Sequence, residues 1–295
     1  MVLNPEKDRL SIYDDLWSTD ALSHGSVERL VTFSLEGDLK IHNKNVVDQM
    51  LTRTLLEDTE IDEHLDSAMR TAIIYGDSFN IIRRNAESSI ERIIPLDPKN
   101  VEINTDTSQN IDSYEVKIGP EGKYSKNDII HIQFQKQQDS PYGLSMMKGI
   151  ESYVEKEDEI NAGLLKALRG ENPTFDSEGN LRILKALPLL YSRHFGVPVG
   201  YLTVNFVTDE QYYLEKALFG KRCQQFRDTI RNELMQKVIS PEVTRLGLSP
   251  ELNIGWRVKE RPLLKEIENL IAMQQVGAIS IDEFKIKMGM DYYFQ

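Results

Sequence analysis

At 295 residues the chain reaches the upper size of a single domain and can bury about 75% of the surface its unfolded form exposes, so one elongated domain or two smaller ones are both allowed. A composition of 40% apolar and 28% charged residues excludes a disordered or fibrous protein, and no apolar run approaches the roughly 20 residues that span a bilayer. The net charge of -12 excludes a protein that grips nucleic acid over its whole surface, because phosphate binding is driven by Lys and Arg.

The opening sequence MVLNPEKDRL has no apolar signal region, so synthesis in the cytoplasm is expected, with no membrane partner. Residues 1–42 read as a solvated, irregular arm. Asp14, Asp15 and Asp20 cluster around Trp17, but no further ligand is placed to complete a metal set. Val46, Val47, Met50, Leu51 and Leu55 predict one amphipathic helix; Ile61, Leu65, Ala68, Met69, Ala72 and Ile73 predict a second. Thr59 is placed to cap that second helix, Asp62 to sit in its first turn, and Gly76 to end it.

The period then changes to that of strands. Runs around Phe79 to Arg84, Arg92 to Leu96, Tyr114 to Ile118 and Ile129 to Phe134 are rich in β-branched residues and separated by Pro and Gly turns, of which Asp97-Pro98 is the clearest. Together with the helices they predict an α+β module of about 140 residues built on an antiparallel sheet.

Past the turn Ser140-Pro141-Tyr142-Gly143, Ser145 is placed to cap a long helix carrying Ile150, Val154, Ile160, Leu164 and Leu168 at helical spacing, with Gly170 and Pro173 as stop signals. Residues 171–180 read as an exposed loop. A helix from about Leu181 to Arg193 should kink or break at Pro188. Thr208-Asp209-Glu210-Gln211 is a capping box opening a long helix with the stripe Phe219, Cys223, Phe226, Ile230, Leu234 and Val238, ended by Pro241. A strand over Leu252 to Val258, a helix from Pro262 to Val276 and a last helix from the capping box Ser280-Ile281-Asp282-Glu283 to Gly289 complete the chain.

No phosphate loop, H-E-x-x-H, G-x-S-x-G or paired C-x-x-C motif occurs, and the single Cys223 excludes an intrachain disulfide. The histidines are scattered, and His131 reads as a sheet residue with no carboxylate nearby in sequence to orient it. One constellation offers chemistry. Asp97, followed by Glu115-Val116-Lys117, has the form of a Mg-dependent nuclease site, in which two carboxylates hold the ion and the lysine supports the attacking water. Alternation puts Glu115 and Lys117 on one face of a strand, where the plainer reading is a solvated pair. A non-catalytic scaffold protein is a further alternative.

Five segments occurring in one order carry a resemblance: Y-G-D-S-F (75–79), R-I-I-P-L-D-P-K-N-V (92–101), the strand and turn from D-I-I-H-I-Q-F to Y-G-L-S (128–145), F-G-V-P-V-G (195–200) and G-A-I-S-I-D-E-F-K-I-K-M-G (277–289). Taken together they resemble the portal proteins of tailed-phage capsids, over roughly residues 42 to 290. Val199 departs from the family's pattern, which has a second proline there.

The resemblance implies a wing-type α+β module over 1–144, stem helices with a short clip loop (171–180) over 145–198, and a tunnel loop with mostly helical crown-type region over 199–295. It implies a homo-oligomeric ring, usually of twelve subunits, at one vertex of a virion, assembled in the host cytoplasm. Double-stranded DNA would enter and leave through its bore, and terminase large subunit, head-tail adaptor, major capsid and scaffold proteins would dock on it. Such a protein is no enzyme and needs no cofactor or metal. The DNA channel would be lined by Glu155, Lys156, Glu159, Lys166 and Arg169 of the stem and by Val199, Tyr201, Thr203 and Asn205 of the tunnel loop, with Lys148 a further cation in reach; a solvated helix face is the plainer role for Lys148, Lys156, Lys166 and Arg169. Docking would fall on Glu171, Asn172, Phe175, Asp176 and Glu178 of the clip. The short clip is the main departure from the family. For the tunnel-loop stretch, a buried strand is the structural alternative.

Overall fold

The computed structural model describes residues 7–36, 39–42, 59–108, 110–136, 140–169, 176–202, 209–248 and 253–256, with a few isolated positions besides. The chain forms two compact units, residues 1–35 with 41–255 and residues 36–40 with 256–295. The short strands β1 (Leu39–His42) and β8 (Asn253–Trp256) fall where the chain passes from one unit to the other. The predicted helices over 46–55, 262–276 and 281–289 lie outside the described residues, apart from isolated positions.

The N-terminal arm is ordered, contrary to the reading of an irregular segment. Helix α1 (Leu10–Thr19) and helix α2 (Ala21–Ser34) are separated only at Asp20, whose Oδ2 accepts the Ser23 N–H at 2.7 Å. Leu10, Tyr13 and Leu16 of α1 are buried. In α2 the buried face is Ser23, Ser26, Val27, Leu30, Val31 and Ser34, so small hydroxylated residues occupy half of it. Such a face lets helices approach closely while hiding the apolar period that would have announced it.

Helix α3 (Ile61–Tyr75) buries the whole predicted stripe. Its cap position is Glu60, at φ 51°, and not Thr59. Gly76 closes it at φ 90°, its N–H bonded to Ala72 O at 2.9 Å.

Besides the pair β1 and β8, the strands pair antiparallel and form two three-stranded sheets where one was expected. Strands β3 (Ile90–Leu96), β2 (Asp77–Arg84) and β7 (Ile129–Gln133) make the first, in the order β3-β2-β7. Strands β4 (Val101–Thr105), β5 (Ile111–Val116) and β6 (Gly122–Ser125) make the second, in sequential order. The Asp97-Pro98 turn redirects the chain from one to the other, with Asp97 Oδ1 accepting the Lys99 N–H at 2.9 Å. Phe79, Ile81 and Leu96 of the first sheet meet Val101, Ile103, Tyr114 and Val116 of the second in one core, with Ile129 and Tyr142. β2 is buried along both faces from Asp77 to Ile82, as its central place requires.

The long helix α4 runs Glu151–Leu168, not from Ser145. Gly149, at φ +91°, interrupts any continuation toward Ser145, which instead accepts the Met147 N–H at 2.9 Å and donates to Ile74 O. Helix α5 (Ser177–Phe195) starts earlier than predicted, capped by Asp176 through the Gly179 N–H at 2.9 Å, and passes through Pro188 unbroken. The cost of an interior proline, about 3 kcal/mol for the lost hydrogen bond and the clash of its ring together, is outweighed by burial of Leu187, Tyr191 and Phe195. Residues Val199–Leu202 form a single helical turn, α6, not a strand.

Helix α7 (Asp209–Leu234) continues through a π turn (Met235–Ile239) into α8 (Ser240–Arg245), so Pro241 does not end it. Proline at 241 has no N–H for the carbonyl of Lys237, and that carbonyl accepts the Arg84 guanidinium at 3.3 Å instead. The predicted stripe is buried at Phe219, Cys223, Ile230, Leu234 and Val238.

Candidate functional site

Helices α4 and α5 contact one another, and they and their ends carry the described residues expected for the stem and the clip. Glu155, Lys156, Glu159, Lys166 and Arg169 all lie on exposed positions of α4 or its C-terminal edge. Lys156 Nζ meets Glu159 Oε2 at 2.8 Å, both well exposed. Glu171 is exposed and its N–H closes onto Lys166 O at 2.9 Å; Asp176 is spent as the α5 cap; Glu178 pairs with Arg182 on the α5 surface. Asn172, Phe175, Thr203 and Asn205 lie outside the described residues.

The two described tunnel-loop residues are packed. Val199 is 4% exposed, with its N–H on Glu215 Oε2 at 3.1 Å. Tyr201 stacks on Phe33 of α2, with ring centroids 5.1 Å apart, and meets Phe219 edge-on. The Tyr201 ring belongs to the contact of α6 with α2 and α7.

The apolar stripe of α4 divides. Ile150 and Ile160 are buried, but Leu164, Leu165 and Leu168 are exposed, the last at 76%, and Leu181 and Ile183 of α5 are exposed too. Leu164, Leu165 and Leu168 fall within about one turn of α4, so their exposure is grouped and not scattered singly.

Glu157 of the same helix sits partly buried, and burial together with Asp20 and Asp158 pushes its carboxyl above the usual range. Tyr191 is fully buried, and burial, with Asp20 beside its hydroxyl, raises it.

A second polar feature lies at the sheets. His131 is a sheet residue, as read, and β-pairing gives it an orienting carboxylate from 54 residues away. Its Nε2 lies 2.8 Å from Asp77 Oδ1, which also accepts the Gly143 N–H at 2.9 Å, while Nδ1 lies 3.1 Å from the Tyr114 hydroxyl. The Phe79 ring stacks on the imidazole at 4.4 Å. Asp77, His131 and Tyr114 are all buried, and burial raises the Tyr114 hydroxyl. This network ties both sheets to the turn that leads into α4. A buried tyrosine held neutral is a poor nucleophile, so the network reads as a structural tie.

Between β7 and α7 runs a groove made of two cavities of about 470 and 480 Å³ that share His131, Gln133, Lys136 and Glu233. β7 is an edge strand, and α7 blunts that edge: Lys237 Nζ donates to Ile129 O at 2.6 Å, and Glu233 Oε2 accepts the His131 N–H at 3.4 Å.

The residues of the nuclease reading have separate tasks. Asp97 is a turn cap, while Lys117 is paired with Glu115 and, at 3.4 Å, with Glu102. Among the described residues no group of three His, Cys, Asp or Glu side chains is placed to hold a metal ion. Sequence reasoning also missed buried Arg227, which closes the C-terminus of α2 through Ser34 O at 2.8 Å and Phe33 O at 2.6 Å. An arginine within an otherwise apolar helical stripe was the available signal.

No family model matches the sequence, and no curated protein matches it. Solved structures do. The chain is similar to one in the neck of an empty gene transfer agent (GTA) particle computed with C6 symmetry, at a TM-score of 0.60 and 12% identity over 97% of this chain and 94% of that one. It is similar to one in the neck of the native GTA particle computed with C12 symmetry, at a TM-score of 0.51 and 14% identity over 98% and 95%. An HK97-family phage portal protein from Corynebacterium diphtheriae aligns at a TM-score of 0.49 and 10% identity over 87% and 96%. This chain has the fold of the GTA neck chains.

Proposed function

We propose that the protein is a portal protein: a subunit of a homo-oligomeric ring, of twelve copies, at one vertex of a virion, through which double-stranded DNA is packaged and ejected. The observation that carries this is the match of nearly the whole chain to a GTA neck chain at a TM-score of 0.60. The neck reconstructions computed with C6 and with C12 symmetry support a cyclic assembly, and the second supports one of twelve places. The exposed leucines of α4 support it independently, since aliphatic side chains spaced along a helix face call for a covering surface. A closed ring supplies one by heterologous contact, each copy presenting one face to the next and the opposite face to the previous one.

On this reading α4 and α5 form the stem, with Glu155, Lys156, Glu159, Lys166 and Arg169 distributed between bore and neighbours. Glu171, Asp176 and Glu178 mark the clip edge where terminase and the adaptor dock. The ring needs no catalytic residue, cofactor or metal.

Negative-stain electron microscopy of the purified chain, with native mass alongside, tests the proposal. Rings with a hole wide enough for duplex DNA are expected. A chain that stays monomeric at high concentration, alone and with capsid and scaffold protein, overturns it.

A further inference from the structure

We infer that the groove between β7 and α7 receives the acidic face of α4 from a second copy of this chain. The inference rests on the ring reading and names the surfaces that would join its subunits.

The groove is positive on a negative protein. Lys126, Lys136, Arg222 and Lys237 line its two cavities, against Glu233 as the one acid among the described lining residues. Lys237 is taken up by Glu233 at 3.1 Å and Arg222 by Phe195 O. Lys126 and Lys136, on the sheet side, therefore set the sign of the opening. The chain as a whole carries -12, so a cationic recess of this kind selects an anionic occupant.

The chain carries such an occupant. Glu155, Asp158 and Glu159 stand at i, i+3 and i+4 on α4, which puts them on one face, and all three are exposed. Lys156 bonds Glu159, but a pair this exposed is weak and exchanges partners at little cost. The lengths agree. The groove follows α7 from Arg222 to Lys237, about 22 Å at 1.5 Å per residue, and the 18 residues of α4 span about 27 Å. Amide side chains on the groove wall, Gln225, Asn232 and Gln236 among them, can bond a helix's polar face without adding charge.

The two surfaces also lie on different elements, the groove on β5, β7 and α7 and the acids on α4. A heterologous contact needs this separation, because each copy must offer both surfaces at once.

Charge reversal tests the inference on the full chain. Lys126→Glu with Lys136→Glu should raise the concentration at which rings form by at least tenfold, as should Glu155→Lys with Glu159→Lys. Combining both pairs should restore assembly to within about threefold of the unmodified chain, because the attraction returns with its sign exchanged. Each variant should keep the parent's thermal unfolding. As a second readout, Lys136→Cys with Glu159→Cys should give an intermolecular cross-linked ladder on oxidation; the native Cys223 is buried and takes no part.

Rings that form equally well in every charge variant, with no ladder, overturn this inference and leave the ring reading standing. An unmodified chain that never associates overturns both. If the lysine reversals leave assembly unchanged and only weaken retention of duplex DNA, the groove holds phosphates and the inference fails.

Discussion

Gly143 and Gly76 cross so closely that a Cβ built on Gly143 would lie 2.0 Å from the Gly76 carbonyl oxygen and 2.4 Å from that of Phe134. The crossing joins the end of α3 to the turn that feeds α4, and Gly143 also gives its N–H to Asp77. No neighbour can yield, because the clashing atoms are backbone. Gly143→Ala should therefore destabilise by about 3 kcal/mol or more, the upper end of overpacking costs, as a fall in the urea midpoint at unchanged slope. Unfolding at the parent's midpoint would show that the crossing is loose in solution.

Arg84 is joined to Glu242 at 2.8 Å, and Glu242 is 1% exposed. Arg245 holds the other carboxylate oxygen at 2.7 Å, so removing Arg84 leaves the buried charge half paired. Arg84→Met should cost about 2 kcal/mol, less than the 3–5 kcal/mol of a fully orphaned buried ion. It also strips the Lys237 carbonyl of the donor that replaces the missing N–H of Pro241. Adding Glu242→Leu should recover part of the loss, and a double-mutant cycle by urea unfolding measures how much.

Arg70 grips Glu28 with two nitrogens, at 2.7 and 2.9 Å, tying α2 to α3. That hydrogen bonding holds the Glu28 carboxyl below its ordinary value of 4.5. A carboxyl depressed in the folded state contributes stability above its unfolded value, and the contribution is lost as pH falls through the lower, folded value. Glu28→Gln should cost about 1 kcal/mol at pH 7 for this partly exposed pair. The difference from the parent should shrink below pH 4 in thermal unfolding. A gap that persists unchanged at low pH would show that the pair acts through shape alone.

Glu157 has the opposite sign. Burial and two neighbouring acids raise its carboxyl, so the folded state prefers it protonated. Its favourable contribution is complete below 4.5 and lost as pH rises through the folded value, leaving a charged Glu157 as a penalty at neutrality. Glu157→Gln should then unfold at a higher temperature than the parent at pH 7 and at the parent's temperature near pH 4.

The elements that sequence reading placed well are those with one dominant local signal. Ile129, Ile130 and Ile132 announced a strand, and the stripe from Ile61 to Ile73 announced a helix, because nothing polar interrupts their periods. α2 went unseen because Ser23, Ser26 and Ser34 sit on its buried face, where an amphipathic pattern requires apolar residues. Pro188 and Pro241 were read as breaks because a single sequence shows the lost N–H but not Tyr191 or Arg84, which compensate from elsewhere. The orienting carboxylate of His131 was out of reach for the same reason: Asp77 becomes its neighbour only through the pairing of β2 with β7. Of the candidate site, the exposed charges of α4 were legible, whereas the groove, assembled from β5, β7 and α7, was not.

A periodic stripe identifies an apolar face without saying what covers it, and α4 shows the difference. Ile150 and Ile160 are covered by the chain itself, while Leu165 and Leu168 are 56% and 76% exposed. Replacing two such residues should leave the isolated subunit nearly untouched, within about 0.5 kcal/mol by urea unfolding. If a neighbouring copy covers them, each contributes roughly 1.5 kcal/mol or more to association. Leu165→Gln with Leu168→Gln should therefore weaken assembly about 100-fold or more, a loss near 3 kcal/mol, seen as a shift from ring to monomer in native mass at a fixed concentration. Destabilisation of the monomer without any shift in assembly would place these leucines in an intrachain contact instead, and would remove the support that they lend to the ring.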